Sequence, residues 1–195
     1  MNLSRVSPAA LLVAAGALTL GACGNGETGS GDQPDYAASS DGISTVAKAE
    51  RQPTNDVKGE TLEGKQLDVA DFKGKIIVIN VWGSWCPPCR AETPNFVKVA
   101  KETKAKGVEF LGINTRDANR RQAIAFETDY SVRYPSLYDP TGKVVLHGFP
   151  KGTLNPQTVP STIVLDRDGK IAARSLRPLS EENLRKMISP LLAEK

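Results

Sequence analysis

Metal-ligating side chains are scarce in this 195-residue chain, which has one histidine, three cysteines and two methionines. A structural zinc site takes four cysteine or histidine ligands, but beyond one cysteine pair the sequence offers only His147 and no second pair. The scarcity of histidine and methionine also argues against a copper site. The net charge is only +3, with basic and acidic residues interspersed. We therefore expect neither a metal cofactor nor a nucleic-acid partner.

The N-terminal apolar run is too short to cross a membrane as a helix. It extends from Ala9 to Leu20 behind one basic residue, Arg5, whereas a bilayer needs roughly 20 residues. This pattern is typical of a signal peptide, which we assign to residues 1–22. The residues Leu20-Gly21-Ala22-Cys23 resemble a bacterial lipobox, whose cysteine is lipidated as the first residue of the mature protein. We predict a lipid anchor at Cys23; the alternative is an ordinary secretory cleavage site with an incidental cysteine.

Large apolar residues are almost absent from the next segment, which is rich in Gly, Ser, Asp, Ala and Glu. Such a composition buries too little surface to order itself, so residues 23–54 are predicted to form a flexible tether that reaches roughly 30 Å from the membrane. Residues 55–195 have the length of one domain. Lipidation of Cys23 would leave Cys86 and Cys89 as the one thiol pair in an oxidising compartment. The predicted location is the cell membrane, on its extracytoplasmic side.

Two thiols in the segment Trp85-Cys86-Pro87-Pro88-Cys89 give the strongest functional signal, because a C-x-x-C pair can close into a disulfide. The segment follows an apolar strand-like run and precedes a helical stretch, which puts Cys86 at a helix start. Unpaired backbone N–H groups and the helix dipole stabilise a thiolate there. We predict that Cys86 is the nucleophile and that Cys89 is the resolving thiol, which attacks the mixed disulfide formed at Cys86.

The remaining pattern alternates strands and helices. Ile76 to Val81 and Val108 to Ile113 are apolar runs typical of strands buried on both faces. The other predicted strands form two hairpins, at Leu62 to Leu67 and at Thr162 to Leu165 with Ile171 to Ser175. The predicted helices run from the dithiol to about Lys106, from a cap at Asp117 to about Tyr130, and from a cap at Ser180; Gly142 to Leu146 fits a short helix or a strand. This order predicts a three-layer α/β/α sandwich with a central mixed sheet.

Two segments together resemble the thioredoxin superfamily, and within it the membrane-tethered TlpA-like and ResA-like thiol-disulfide oxidoreductases of bacteria. The first segment is Asn80 to Pro94, NVWGSWCPPCRAETP, and the second is Val159 to Thr162, VPST. The resemblance covers about residues 55–193 and implies a thioredoxin-like fold. It also implies that Pro160 is cis and faces the dithiol, and that the backbone of Val159 pairs with a client segment as a neighbouring strand would.

Asn80 departs from thioredoxin itself, where a buried aspartate six residues before the first cysteine helps to move the proton of the resolving thiol. An amide does not titrate, so another base is required. Glu92, three residues after Cys89, matches the glutamate that ResA-like proteins place near the dithiol; the alternative is an exposed glutamate in the first helical turn. Trp85 is expected to shield the dithiol and line the client groove, with a core aromatic as the alternative.

We expect an enzyme that reduces disulfides in exported proteins, and the resemblance suggests apocytochrome c as one client. Because the outer compartment holds no thioredoxin pool, the enzyme is expected to receive its electrons from a membrane thiol carrier. The enzyme would use the Cys86–Cys89 pair, need no other cofactor and act as a monomer. The prolines between the cysteines remove N–H donors from the thiolate, which favours a reductant. The open alternatives are an oxidase or isomerase of exported proteins and a non-enzymatic lipoprotein that holds a partner. A peroxidase is disfavoured because paired cysteines replace a single peroxidatic cysteine.

Overall fold

The structure, a computed structural model, describes residues 36–194. The strands in this range are β1 (Ala37–Ala38), β2 (Ile43–Thr45), β3 (Lys58–Glu60), β4 (Gln66–Asp68), β5 (Ile76–Trp82), β6 (Val108–Thr115), β7 (Ser136–Asp139), β8 (Ser161–Leu165) and β9 (Ile171–Ser175). The α-helices are α1 (Pro87–Thr103), α2 (Arg120–Asp129), α3 (Lys143–His147) and α4 (Glu181–Ala193). Among the residues described, no helix has the length and apolar character that crossing a membrane requires.

Seven strands form one mixed sheet in the order β1-β2-β9-β8-β5-β6-β7, and β3 pairs with β4 in a separate hairpin. β5 runs parallel to β6 and antiparallel to β8. Helices α1 and α4 contribute Phe96 and Leu184 to the core cluster on one face of the sheet. Val145 of α3 and Val57, just before β3, belong to the cluster on the other face. The predicted three-layer α/β/α sandwich with a central mixed sheet is confirmed.

Every residue of β5 is buried, as expected for a strand in the middle of the sheet. Successive side chains of a strand point to opposite faces, and accordingly Ile76 and Val78 lie in the cluster under α1 and α4, whereas Ile77 and Ile79 lie in the other cluster. A strand that is apolar on both faces requires both faces to be covered. Since β5 ends at Trp82, the chain leaves the sheet at its carboxyl end just before the dithiol.

Several predicted element ends are confirmed. After α1 a 3₁₀ turn covers Lys104–Lys106, and Gly107 then adopts the left-handed conformation, with a φ of 80°, that terminates the helix. Ser180 caps α4 by accepting a hydrogen bond from the Asn183 N–H at 3.2 Å. The predicted hairpin of β8 with β9 is confirmed. The predicted hairpin at Leu62 to Leu67 starts too late, because its first strand is Lys58–Glu60 and Leu62 lies in the turn before β4.

The predicted tether, which extended to residue 54, is wrong for residues 36–54. Strands β1 and β2 extend the sheet, and β2 pairs antiparallel with β9. Ile43 and Val46 are buried, and the Val46 N–H donates to the Ala172 carbonyl at 2.9 Å. Few apolar residues suffice here because an existing sheet edge supplies both hydrogen-bond partners and apolar surface. The predicted signal peptide and Cys23 lie outside the described residues.

The predicted cap of the second helix is also wrong. Asn119 is the N-cap of α2, and its Oδ1 accepts a hydrogen bond from the Arg121 N–H at 3.0 Å. Asp117 is buried and bonds instead to Ser84, in the loop before the dithiol. The ambiguous segment from Gly142 is the short helix α3. Strand β7 has the sequence SLYD, in which polar and apolar residues do not alternate, so no strand pattern indicated it.

Candidate active site

Cys86 and Cys89 form a disulfide at the amino-terminal end of α1, with an S–S distance of 2.05 Å and Cα atoms 5.3 Å apart. A short loop, Gly83 to Trp85, connects the pair to the carboxyl end of β5. Both cysteines are enclosed in this form, with exposed fractions of 2% and 1%. Burial therefore does not distinguish the two thiols, whereas their positions in the helix do.

Cys86 is the N-cap residue of α1, and its Sγ accepts a hydrogen bond from the Cys89 N–H at 3.2 Å. The positions between them are Pro87 and Pro88, which have no N–H to donate. The Cys89 amide is therefore the one donor that the first three helical residues supply to this sulfur. Together with the positive end of the helix dipole, it favours the thiolate of Cys86 in the reduced protein.

A second loop approaches the dithiol just before β8. The peptide bond between Val159 and Pro160 is cis, and the Val159 carbonyl oxygen lies 3.9 Å from Cys86 Sγ. A disulfide sulfur has no proton to donate, so in this form the approach is a contact and not a hydrogen bond. The cis peptide bond and the position of this loop against the dithiol agree with the sequence-based expectation.

Glu92 lies one helical turn beyond Cys89 and is buried, with 2% of its surface exposed. Its Oε1 accepts a hydrogen bond from Asn80 Nδ2 at 2.9 Å, and its Oε2 accepts one from the Leu179 N–H at 2.8 Å. Burial raises the pKa of Glu92 from 4.5 to about 7, although both hydrogen bonds favour the carboxylate and oppose the rise. The alternative of an exposed first-turn glutamate is therefore wrong, and this carboxyl can exchange a proton near neutral pH.

An apolar cluster encloses the dithiol from the side of α2. It contains both cysteines together with Leu62, Trp82, Ala123 and Phe126. The rings of Trp82 and Phe126 stack with their centroids 4.5 Å apart. Apolar surroundings disfavour a charge on sulfur, so Cys89, which lies inside the helix, is the thiol better placed to keep its proton.

Asp117 ties the dithiol loop to the loop after β6, a role that was not evident in the sequence. Its Oδ2 accepts hydrogen bonds from the Ser84 N–H at 2.7 Å and from Asn114 Nδ2 at 2.6 Å. Its Oδ1 accepts one from Ser84 Oγ at 2.6 Å. The available signal was its place just after a buried strand, at the sheet end where functional loops gather. The general preference of aspartate for helix caps competes with that signal.

Trp85 is not a core aromatic, because 48% of its surface is exposed. The guanidinium carbon of Arg116 lies 4.7 Å from the centroid of the Trp85 ring, within the range of a cation–π interaction. The structure thus brings together Trp85, both cysteines, Glu92 and the Val159–Pro160 bond at the carboxyl end of β5. Nothing in the sequence pattern pointed to Arg116, since it lies in the loop after β6, far along the chain from Trp85.

Residues 48–188, more than half of the chain, match the protein family described as Redoxin. The chain belongs to the Redoxin family. Among its curated relatives, the thiol-disulfide oxidoreductase ResA of Bacillus cereus is 30% identical over 123 residues, which cover 63% of this chain and 67% of ResA. The thiol:disulfide interchange protein HelX of Rhodobacter capsulatus is 39% identical over 126 residues, which cover 64% of this chain and 65% of HelX.

Solved structures are similar to this Redoxin-family protein over a larger part of its length. A DsbF homologue from Corynebacterium diphtheriae is 34% identical with a TM-score of 0.73, covering 83% of this chain and 100% of that one. A secreted thiol-disulfide isomerase from Corynebacterium glutamicum is 32% identical with a TM-score of 0.75, covering 83% of this chain and 98% of that one. The predicted thioredoxin-like fold is confirmed, and so is the predicted enzyme class, thiol-disulfide oxidoreductase.

Proposed function

We propose that this protein reduces disulfides in exported proteins on the extracytoplasmic side of the membrane. The observation that supports the proposal most directly is the Cys86–Cys89 disulfide at the start of α1, with the Val159 carbonyl oxygen 3.9 Å from Cys86 Sγ. A client segment that pairs with the Val159 backbone in a strand-like way brings its own sulfur to Cys86. The redox-active disulfide is the only cofactor that this chemistry requires.

The exchange proceeds in two displacements. The Cys86 thiolate attacks one sulfur of the client disulfide, which forms a mixed disulfide and releases the other client sulfur as a thiolate that takes up a proton. Cys89 then loses its proton and attacks Cys86 Sγ, which releases the second client thiol. Two electrons pass to the client, whose disulfide becomes two thiols, while the enzyme dithiol becomes the Cys86–Cys89 disulfide.

Glu92 is the proposed base for the second displacement. With a pKa of about 7, its carboxyl is ionised in a substantial fraction of molecules at neutral pH and can accept the Cys89 proton. The same carboxyl can then return the proton to the departing client thiolate. The hydrogen bonds from Asn80 and Leu179 fix the orientation of the carboxyl group.

The enzyme must be reduced again after each turnover, and the proposed donor is a membrane dithiol carrier. The prolines at the first two helical positions limit the N–H donors available to the Cys86 thiolate, which favours the disulfide form of the enzyme and therefore a reductant. The proposed clients include apocytochrome c, through its heme-attachment cysteines. The predicted lipid anchor at Cys23 would hold the monomeric enzyme at the outer face of the membrane.

Disulfide formation or isomerisation in exported proteins is a second candidate function. It is favoured by the similarity to the secreted thiol-disulfide isomerase of Corynebacterium glutamicum. The same dithiol can run in either direction, because the direction depends on its reduction potential relative to its partners.

Client capture by Cys89→Ala tests the proposal. Without the resolving thiol, the variant is expected to accumulate mixed disulfides through Cys86 in cells, and mass spectrometry of the trapped species identifies the clients. Recovery of apocytochrome c would support that client. Cys86→Ala is the matched control and is expected to trap none; clients trapped equally well by both variants would contradict the assignment of Cys86 as nucleophile.

The reduction potential of the Cys86–Cys89 pair decides between the two candidate functions. The purified protein is equilibrated in defined thiol-disulfide buffers, and its redox state is read by alkylation and mass. A reductase is expected to lie near the about −270 mV of thioredoxin. A value near the about −120 mV of a strong oxidant would reverse the proposed direction.

A further inference from the structure

Trp85, which is exposed, and Arg116, which is half-buried, form a stacked pair beside the dithiol. Trp85 immediately precedes Cys86, and the Arg116 guanidinium carbon lies 4.7 Å from the centroid of its ring. Nη1 of Arg116 donates a hydrogen bond to Gln157 Oε1 at 3.3 Å, and Gln157 lies two residues before Val159. Arg116 therefore connects the loop that precedes the dithiol with the loop that carries Val159.

The backbone of Arg116 adopts an energetically unfavourable conformation. Its φ of 58° lies in the left-handed region, which residues other than glycine rarely adopt. The next residue, Asp117, accepts hydrogen bonds from Ser84 and Asn114, so its carboxylate is engaged by neutral donors. Backbone strain of this kind persists where the surroundings fix it, and it concentrates at functional sites. These contacts fix the backbone from which the guanidinium reaches Trp85.

The positive charge of Arg116 has no carboxylate partner in the described part of the chain. Its Nε is enclosed without a hydrogen-bond partner, its Nη1 donates to the neutral amide of Gln157, and its Nη2 has no hydrogen-bond partner among the described residues. Arg120 provides the contrast. It also stacks on a ring, that of Tyr138, but it forms an ion pair with Glu60 at 2.6 Å. Arg116 thus keeps hydrogen-bond donors and a positive charge available beside the dithiol.

We propose that Arg116, stacked on Trp85, determines client specificity by binding the carboxylate of an acidic side chain next to the client's reactive cysteine. A guanidinium presents its donors in a planar fork that matches a carboxylate, and stacking on the ring orders the fork before the client arrives. The inference rests on the proposed docking of the client against Val159. Residues of an extended client lie about 3.3 Å apart, so the acidic residue is expected within about two positions of the cysteine.

The test uses single-cysteine peptides in a mixed disulfide with 2-thiopyridine. Glutamate or glutamine is placed in turn at each nearby position on either side of the cysteine. The Cys86 thiolate attacks the peptide sulfur, which breaks the bond to thiopyridine, forms the Cys86–peptide disulfide and releases thiopyridone, whose absorbance reports the rate. The reduced wild-type protein is expected to react about fivefold faster with the best glutamate peptide than with its glutamine twin. Added salt is expected to reduce this ratio.

Arg116→Gln is expected to lower the glutamate-to-glutamine ratio to about one, because the cationic fork is lost. Arg121→Gln is the matched control, since it removes the same charge from an exposed position on α2 and is expected to keep the ratio. An unchanged ratio in Arg116→Gln, or an equal loss in Arg121→Gln, would overturn the inference. If Arg116→Gln does not fold, Arg116→Lys, which keeps the charge without the fork, must at least halve the ratio for the inference to stand.

The wild-type protein alone separates failure of this inference from failure of the proposed function. If both peptides react at the same rate, thiol-disulfide exchange at Cys86 is supported and only the proposed carboxylate site at Arg116 is contradicted. If neither peptide reacts, the proposed exchange chemistry at Cys86 is itself contradicted, and so is the specificity role of Arg116.

Discussion

Two glutamates in this protein have pKa values raised to about 7: Glu92, buried on α1 beside the dithiol, and Glu127, half-buried on α2 beside β7. Burial is the main cause in both cases. Both oxygens of Glu92 accept hydrogen bonds, whereas Oε1 of Glu127 is enclosed without a partner. A raised pKa therefore marks burial, and position relative to the sulfurs is what makes Glu92 a candidate base.

Glu127 lies at the edge of the sheet, beside β7. A hydrogen bond with the Ser136 side chain opposes the rise in its pKa, and the nearby charge of Glu63 adds to it. Ser136 Oγ also accepts a hydrogen bond from Trp82 Nε1 at 3.3 Å. Glu92, in contrast, links α1 to β5 and lies one turn from Cys89. The two carboxyl groups should therefore behave alike in stability measurements and differently in thiol exchange.

Both glutamates should have their largest effect on the pH dependence of the free energy of unfolding. A folded-state pKa of about 7, above the ordinary 4.5, means that the folded protein binds this proton more tightly than the unfolded chain. The resulting stabilisation is complete below pH 4.5 and is lost as the pH rises through 7. For Glu92 the loss amounts to about 3 kcal/mol. Glu92→Gln is expected to flatten this fall in the free energy of unfolding, measured by urea titration of the oxidised protein.

Glu127→Gln is expected to flatten the same pH dependence by a smaller amount, because Glu127 is only half-buried. If one variant flattens the curve and the other does not, the second carboxyl titrates normally in the folded protein. A wild-type free energy of unfolding that is constant from pH 4.5 to 7 would contradict the raised pKa of both residues.

Thiol exchange should separate the two glutamates. Glu92→Gln is expected to slow the second displacement about a hundredfold, because general-base assistance to Cys89 is lost. The wild-type rate should rise with pH through about 7, as the Glu92 carboxyl ionises, and this rise should be absent from the variant. Single-turnover reduction of a peptide disulfide, stopped by acid and read by alkylation, measures the step.

Glu127→Gln is the matched control in the same assay. This substitution removes a half-buried carboxyl whose pKa is also raised to about 7, from a helix that carries neither cysteine. We expect its exchange rate to stay within about twofold of wild type. Equal losses in the two variants would mean that the charge or stability of the domain, and not the proton of Glu92, controls the rate.

The dithiol itself could be predicted from the sequence because its determinants are local. Cys86 and Cys89 are three residues apart, and the uninterrupted apolar run of β5 directly precedes them. The position of Glu92 near the dithiol could be predicted from helical spacing together with the family resemblance. The contact between Asp117 and Ser84 could not be predicted in the same way, because it joins loops 33 residues apart. The parallel pairing of β5 with β6 brings these loops together, and no local pattern encodes that pairing.

Residues 36–54, predicted to be part of a tether, instead extend the edge of the sheet through β1 and β2. Composition correctly indicates that residues 36–54 cannot bury a core of their own. Their order comes from pairing with β9 and from a few buried contacts, such as those of Ile43 and Val46. Strand formation depends on the neighbours of a segment more than on its own residues, so a short polar segment at a sheet edge is easily mistaken for a linker.

Loss of the hydrogen bond between Asn80 and Glu92 should have a smaller effect than the substitutions above. Asn80 Nδ2 donates to Glu92 at 2.9 Å and thereby favours the carboxylate. Asn80→Ala is expected to raise the pKa of Glu92 and to move the pH midpoint of thiol exchange upward by about 0.7 pH units, the equivalent of about 1 kcal/mol. Ser136→Ala, which removes the corresponding partner of Glu127, should leave that midpoint in place. A midpoint that moves downward, or that moves equally in both variants, would show that the exchange rate follows some group other than Glu92.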